Sequence, residues 1–346
     1  MENKGQWREI FEGGSAEAER EIFLTLAEDM VRVQETNRQK AGAAHPSRTL
    51  HAKAVVGVTN ATLLFDDRLP ADFRVGPYQP AAALPAIVRL SNASGVAQSD
   101  FTPDMRGAAI RIGAPEGAVH DLLMTSYPVS HARDARQFVA FAVIASGPRE
   151  TLQARLLETF GEAEARRMAA NIGQGVRPCL SFALESFWSR GAVLWGGAPV
   201  RFQLRPEPDA APAAADPPFD PAEALRAEFR ERLRRGPVKF RLALQRYIDE
   251  EQTSIEDGTA DWERTSPPVG IATLIVPQQD LMSDEGQRQA AEVEGLAFNP
   301  WNAPAAFRPL GNLNRARAVV YSSSAARWGG RSPAPGVSAP VNAEGH

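Results

Sequence analysis

The segment Val238-Lys-Phe-Arg-Leu-Ala-Leu-Gln-Arg-Tyr-Ile248 sets Val238, Phe240, Leu242 and Leu244 on alternate positions. A two-residue period places those apolar side chains on one face of a β-strand. Val269–Val276 alternates in the same way and predicts a second strand. Upstream, from Leu50 to about Pro128, the apolar runs Ala54–Val58, Ile87–Leu90, Ala108–Ile112 and Leu122–Met124 are short, with Gly, Pro, Asn and Asp between them. Many short runs punctuated by turn residues predict an antiparallel sheet or barrel.

Helical periods flank this β-rich region. Glu19–Arg38 carries Ile22, Phe23, Leu26, Met30 and Val33 at helical spacing, and Arg149–Ile172 carries Leu152, Leu156, Leu157 and Phe160. Asp220-Pro221-Ala-Glu223 reads as an N-cap acid, a proline at the first helical position and a glutamate at the third. The helix it opens buries Leu225, Phe229 and Leu233 and stops at Gly236; a last helix covers about Leu313–Arg327. Arg205–Pro218, rich in Pro and Ala, reads as an exposed linker within the domain. The expected organisation is one α+β domain over residues 1–328, with no internal repeat. The tail 329–346 has too little apolar surface to fold.

Composition narrows the function. The 346 residues include 38 basic and 42 acidic side chains, a net charge of −4, which gives no whole-chain attraction to nucleic acid. The single cysteine, Cys179, excludes an intramolecular disulfide and fits a reducing compartment and a buried structural thiol. The N-terminus lacks a signal-peptide apolar region and no apolar run is long enough to span a bilayer. The expectation is a cytoplasmic protein without a membrane span. The five histidines form no HxH or HExxH pair, so a zinc site is not expected. Nucleotide fingerprints and a Gly-x-Ser-x-Gly elbow are also absent from the sequence.

One arginine–tyrosine pair and one histidine remain as candidates for chemistry. Arg317 and Tyr321 stand four apart on the last predicted helix, one turn from each other on one face. A phenolate is a hard anionic donor that suits ferric iron, and a neighbouring guanidinium would favour the ionised form of a group whose ordinary pKa is about 10. Of the four tyrosines, only Tyr321 has both a helical seat and an arginine so placed. His51 is the candidate for an imidazole that takes a peroxide proton and returns it to the leaving oxygen. Spacing alone fits an ordinary tyrosine beside an arginine, and a histidine that merely packs, better than it fits these roles.

The order of motifs from Pro46 to Tyr321 resembles the catalase superfamily, in particular its small heme-containing branch. Ser47-Arg48-Thr-Leu-His51-Ala-Lys53 is similar to the segment of the distal histidine, and Val88-Arg89-Leu-Ser91 to the strand that supplies a serine for that histidine and an arginine for a heme propionate. Asp104-Met-Arg106-Gly107 resembles the family's Asp-x-Arg-Gly turn. His120-Asp121-Leu-Leu-Met-Thr-Ser-Tyr-Pro128 resembles the distal-asparagine segment. Arg133-Asp134, Phe138 and Phe141 look like the helix whose aromatics pack on heme. Asn299-Pro300-Trp301 and Arg308 to Arg317 read like the stretch ahead of the proximal tyrosine.

The resemblance implies an antiparallel β-barrel with flanking helices and heme b between the barrel and the C-terminal helix. Tyr321 would be the axial iron ligand and Arg317 its partner. His51 would be the distal acid and base, with Ser91 bonded to it. Arg48 and Arg89 would hold propionates, and Phe138 and Phe141 would pack on the heme. The distal asparagine falls near Thr125-Ser126, where only hydroxyls are present. Compared with large catalases, the N-terminal arm and C-terminal helical domain are missing. Leu50 stands where coral allene oxide synthases carry threonine, which argues against that activity.

The implied activity is a heme-dependent peroxidase with weak catalase turnover on hydrogen peroxide or small organic hydroperoxides, using an unidentified organic reductant. The alternatives are a hydroperoxide isomerase or biosynthetic oxidase, and a heme-binding barrel without turnover. A homo-oligomer is compatible with all three.

Overall fold

The computed structural model describes residues 6–113, 117–208, 210–212 and 219–333. Nine strands and six α-helices lie in the described residues: α1 (Ala16–Lys40), β1 (Ala54–Phe65), β2 (Ala83–Asn92), β3 (Arg106–Gly113), β4 (Val119–Thr125), α2 (Ala135–Ala145), α3 (Leu152–Gly175), β5 (Phe187–Trp188), β6 (Val193–Trp195), β7 (Ala198–Pro206), α4 (Ala224–Arg235), β8 (Val238–Arg246), β9 (Val269–Val276), α5 (Asp284–Glu294) and α6 (Asn312–Trp328). The strands run β5-β4-β3-β2-β1-β9-β8-β7, and β5 pairs again with β7. Eight antiparallel strands therefore close into a barrel, with β6 attached as a short hairpin arm on β7. Closure leaves no free strand edge around the barrel.

The seam is narrow. Trp188 of β5 pairs with Thr125 on one side and Gln203 on the other, so a two-residue strand completes the ring. The barrel interior is filled by alternate residues such as Val58, Leu63, Val88, Leu90, Ile110, Leu122, Phe187, Leu204, Phe240, Leu242 and Leu274. Burial of this size dominates the stability of the domain, at about 25 cal/mol per Å² of apolar surface.

A second apolar layer lies outside the barrel. Phe23, Leu26, Met30 and Val33 of α1 pack on Ala135, Val139 and Ala142 of α2 and Ala316 of α6. Ser15 caps α1 by accepting from the Ala18 amide at 3.1 Å, and Asp134 caps α2 by accepting from the Gln137 amide at 2.8 Å. The start of α6 is fixed by Gly311, whose φ is +83° and where a Cβ would stand 2.2 Å from the Ile255 carbonyl oxygen. Just inside, buried Arg315 binds three carboxylates, Glu9 at 2.9 Å, Glu19 at 2.6 Å and Glu256 at 3.0 Å. This cluster pins the N-terminal end of α6 to α1 and to the chain before it. Trp301 adds a hydrogen bond from Nε1 to the Asn314 carbonyl at 2.7 Å.

Some elements differ from the sequence reading. Asp220 closes a turn by accepting from the Ala222 amide rather than capping a helix, and α4 begins at Ala224 after Glu223. Proline at 221 leaves that turn preorganised without propagating it. The α3 stripe is largely on the surface: Leu157 is 40 % exposed, and the buried residues of α3 are Ala165, Met168 and Gly175. The expected linker from Arg205 begins later, because β7 continues to Pro206; residues 209 and 213–218 lie outside the described residues. The expected unfolded tail also begins later, since Arg331 forms a parallel bridge with Leu296 and donates to the Gly295 carbonyl at 2.9 Å. Residues 334–346 lie outside the described residues.

Candidate functional site

One rung of the barrel carries most of the site. Across the sheet Ala54 pairs with Ser91, Ser91 with Gly107, Gly107 with Thr125, and Thr125 with Trp188. Directly opposed residues of antiparallel strands project from the same face. The neighbouring rung Arg89–Ala109–Leu123 lies two residues away and shares that face. Residues of both rungs line a cavity of about 610 Å³ between the outside of the barrel and α1, α2 and α6.

His51 enters this cavity from the segment before β1. Its backbone is left-handed, φ +57°, a strained conformation for a residue with a β-carbon. Three contacts hold it. Its amide donates to the Ala93 carbonyl at 3.0 Å, its carbonyl accepts from Arg89 Nη2 at 2.9 Å, and Nδ1 lies 3.0 Å from Ser91 Oγ. The imidazole rests on Gly107, where a Cβ would come within 2.5 Å of both Cε1 and Nδ1. Only glycine leaves room for the ring. Burial and then the positive charges of Arg89, Arg190, Arg317 and Arg48 push the His51 pKa down to about 3. The ring is therefore neutral at physiological pH, and with Nδ1 engaged by Ser91 its free nitrogen is Nε2.

The opposite wall is α6, which contributes Leu313, Asn314, Arg317, Val320, Tyr321 and Ser324. The Arg317 guanidinium carbon lies 5.7 Å from the centroid of the Tyr321 ring, within cation–π range. Its Nη1 donates to Asn314 Oδ1 at 3.0 Å. The arginine therefore faces the ring of Tyr321, and an asparagine one turn earlier, rather than the phenol, takes its hydrogen bond. A link between Thr49 Oγ1 and Ser324 Oγ at 2.9 Å joins the chain just before His51 to the helix just after Tyr321.

Arg48 and Arg89 converge on one carboxylate, Glu294. Arg48 Nη1 bonds its Oε1, Arg89 Nε donates to Oε2 at 3.2 Å, and Arg48 also stacks 4.2 Å over Trp328. Burial, with Arg89 alongside, lowers the Arg48 pKa to about 10 despite Glu294. Phe138 and Phe141 of α2 line the cavity and hold His131 between them, with ring centroids 5.0 and 4.5 Å away.

The structure thus brings Arg48, His51, Arg89, Ser91, Thr125, Phe138, Phe141, Arg317 and Tyr321 to one cavity. Ser126 is the exception and corrects the sequence reading. One residue past Thr125, it faces the other way, and its Oγ accepts from the Arg106 amide at 2.8 Å. Thr125 Oγ1 donates to the Tyr127 carbonyl at 3.4 Å. His120 belongs to the barrel core, with Nδ1 2.6 Å from the Tyr78 hydroxyl. Burial raises the Cys179 thiol to about 12, as suits a structural residue. Among the described residues no cluster of three His, Cys, Asp or Glu side chains is arranged to hold a metal ion.

Several cavity residues had no signal in the sequence. His131, Trp188 and Arg190 sit in or beside a two-residue strand and an irregular segment, where no period marks a face. Glu294 ends a helix whose register on β1 only the fold reveals.

The donor set suits heme b. An ionisable phenol and a neutral imidazole stand on different walls of one cavity, aromatic side chains line it, and a pair of guanidinia already holds a carboxylate.

No protein-family model matches the sequence, and no curated protein matches it in a sequence search. Solved structures match the fold. A fungal catalase superposes with a TM-score of 0.65 at 19 % identity, over 84 % of this chain and 61 % of that one. A bacterial catalase gives 0.60 at 17 %, over 91 % and 67 %. Catalase A from Saccharomyces cerevisiae gives 0.63 at 16 %, over 96 % and 69 %. The chain has the catalase fold, and it spans 61 % of the length of the fungal enzyme. Among the described residues no helix is long and apolar enough to cross a membrane.

Proposed function

We propose that this chain of catalase fold binds heme b in the cavity between barrel and α6 and acts as a peroxidase, with weak catalase turnover, on hydrogen peroxide or small organic hydroperoxides. The observation that carries the reading is the two-walled cavity, with the His51–Ser91 pair on the sheet wall and the Arg317–Tyr321 pair on α6. When bound, the heme supplies the iron at which peroxide is reduced. Everything else falls to side chains of this chain.

Tyr321 would hold the iron through its phenol oxygen, with the Arg317 guanidinium facing its ring. His51 would accept the proton from one peroxide oxygen at Nε2 and deliver it to the other, the two electrons for peroxide reduction coming from the organic reductant; Ser91 at Nδ1 would keep the ring in one orientation. Arg89 holds the backbone of His51 and, with Arg48, anchors the propionates by charge-assisted hydrogen bonds. Phe138 and Phe141 exclude water from one side. Thr125 supplies only a short hydroxyl already directed at a backbone carbonyl, so it positions peroxide less well than an amide. That weakens catalase turnover relative to peroxidase turnover, and it also favours, as a second reading, isomerisation or oxidation of an organic hydroperoxide.

The test is the absorption spectrum of the protein reconstituted with hemin, beside Tyr321→Phe and His51→Ala. A high-spin ferric phenolate spectrum is expected, altered or lost in Tyr321→Phe. In His51→Ala the spectrum is expected to persist while peroxide-dependent turnover drops by about 10²- to 10⁴-fold. Identical spectra for wild type and Tyr321→Phe would remove the ligand assignment. Turnover with fatty-acid hydroperoxides and none with hydrogen peroxide would replace the first reading by the second.

A further inference from the structure

Beside α6, away from Arg48 and Arg89, the cavity gathers a buried cation that has only neutral partners and two ring side chains whose nitrogens have none. Arg190 is 8 % exposed, and Nη2 donates to the Met105 sulfur at 2.7 Å while Nε reaches the Tyr127 carbonyl only at 3.5 Å. Neither partner is charged. Its strongest charged neighbour is another cation, Arg317. Trp188 Nε1 is buried with no hydrogen-bond partner, and so are both ring nitrogens of His131, a residue only 6 % exposed. All three side chains line the cavity. Asp104 is the one acid among the described lining residues, and its Oδ2 already accepts from the Ser94 amide and from Gln98 Nε2. Buried polar groups are ordinarily satisfied, so a buried cation with only neutral partners, beside an unpaired indole N–H and an unpaired imidazole, points to an anionic ligand.

We propose that Arg190, Trp188 and His131 form a carboxylate subsite that holds the acid group of an organic substrate, its apolar body lying along Phe138 and Phe141 toward His51. The inference rests on the reading of a heme in this cavity and adds the class of its substrate. A planar guanidinium accepts a carboxylate bidentately, and the indole and imidazole N–H groups complete its coordination.

A heme propionate has the same chemistry, but the fold separates the two ends. Gly191, beside Arg190, abuts the Asn314 side chain at the start of α6, whereas Arg48 stacks on Trp328 at its end. Asn314 and Trp328 stand fourteen residues apart, about 21 Å along the axis of α6 at 1.5 Å per residue. A heme carries both propionates on one edge. With that edge at Arg48 and Arg89, Arg190 is left for a different carboxylate.

The experiment is calorimetric titration of the hemin-loaded protein with octanoate and with octanol, a neutral probe of equal chain length. Octanoate is expected to bind at least tenfold more tightly than octanol. That preference is expected to vanish in Arg190→Gln, persist in Arg190→Lys and shrink in Trp188→Phe. Equal binding of the two probes by wild type, or an unchanged preference in Arg190→Gln, overturns the proposal. A Tyr321-ligated hemin whose affinity falls in Arg190→Gln but not in Arg89→Gln also overturns it, because the subsite would then read a propionate. The same titration without hemin separates the two readings: octanoate preference in the unloaded protein supports the subsite even where the Tyr321 assignment fails.

Discussion

The two walls of the cavity are built by different physics. On the sheet wall, Ser91, Gly107, Thr125 and Trp188 occupy one rung of a closed barrel, so hydrogen-bonded register fixes each relative to the next. A one-residue slip would turn every side chain to the other face, as Ser126 illustrates. On the helix wall, Arg317 and Tyr321 ride on α6, whose place depends on apolar packing against α1 and on the Arg315 cluster at one end. The sheet wall holds His51 in a tight contact, and the helix wall sets Tyr321 by docking a whole element. A precise group is thus set on the rigid side and an adjustable one on the dockable side.

The largest expected effect comes from breaking the helix wall. Arg315→Ala leaves buried Glu19 and half-buried Glu256 without their cation, Glu9 keeping Arg308, and should lower stability by about 3 kcal/mol, read as a urea midpoint. A loss below about 1 kcal/mol would mean that packing alone holds α6.

Breaking the sheet wall should act on chemistry before stability. Gly107→Ala puts a methyl 2.5 Å from the His51 ring, which must leave its place. Peroxide-dependent turnover is expected to fall about 10²-fold or more, toward the level of His51→Ala, with the far-UV spectrum kept. Full activity in Gly107→Ala would show that the ring tolerates displacement.

Acid sharpens the comparison further. The His51 pKa is about 3 in the fold against an ordinary value near 6.5, so below that value the unfolded chain binds a proton the native state refuses. Its contribution is whole above about pH 6.5 and is lost as pH falls toward 3. Discounted for partial exposure to the cavity, wild type should lose about 1–2 kcal/mol more than His51→Gln between pH 6.5 and 4.5. Parallel pH profiles for the two proteins would refute a neutral buried imidazole.

The smallest effect is expected where the walls meet their polar end. Glu294 is 42 % exposed and competes for Arg48 and Arg89, so Glu294→Gln should tighten hemin binding by about two- to fivefold. Weaker binding instead would show that Glu294 positions the arginines rather than occupying them.

The unequal legibility of the molecule follows the same division. Strands β8 and β9 were readable because a buried face forces a strict two-residue alternation, and Phe240 and Leu242 are fully buried as that pattern requires. Helix α6 was readable to within a residue at each end. By contrast β5 is too short to show any period, yet it closes the barrel and brings Trp188 and Arg190 to the cavity. The apolar residues of α3 carried a helical period without a partner surface to bury them. Ser126 and Thr125 could not be told apart by type, only by which face of β4 each takes.

The chain by itself determined an antiparallel β-protein with flanking helices and a small set of chemically apt residues, because alternation and residue type are local properties. Tertiary structure alone decided that one strand rung would meet one helix across a cavity, that Gly107 would seat His51, and that Glu294 would meet Arg48 and Arg89. Those outcomes depend on contacts between residues far apart in sequence. Barrel closure and helix docking create such contacts, and no local pattern encodes them.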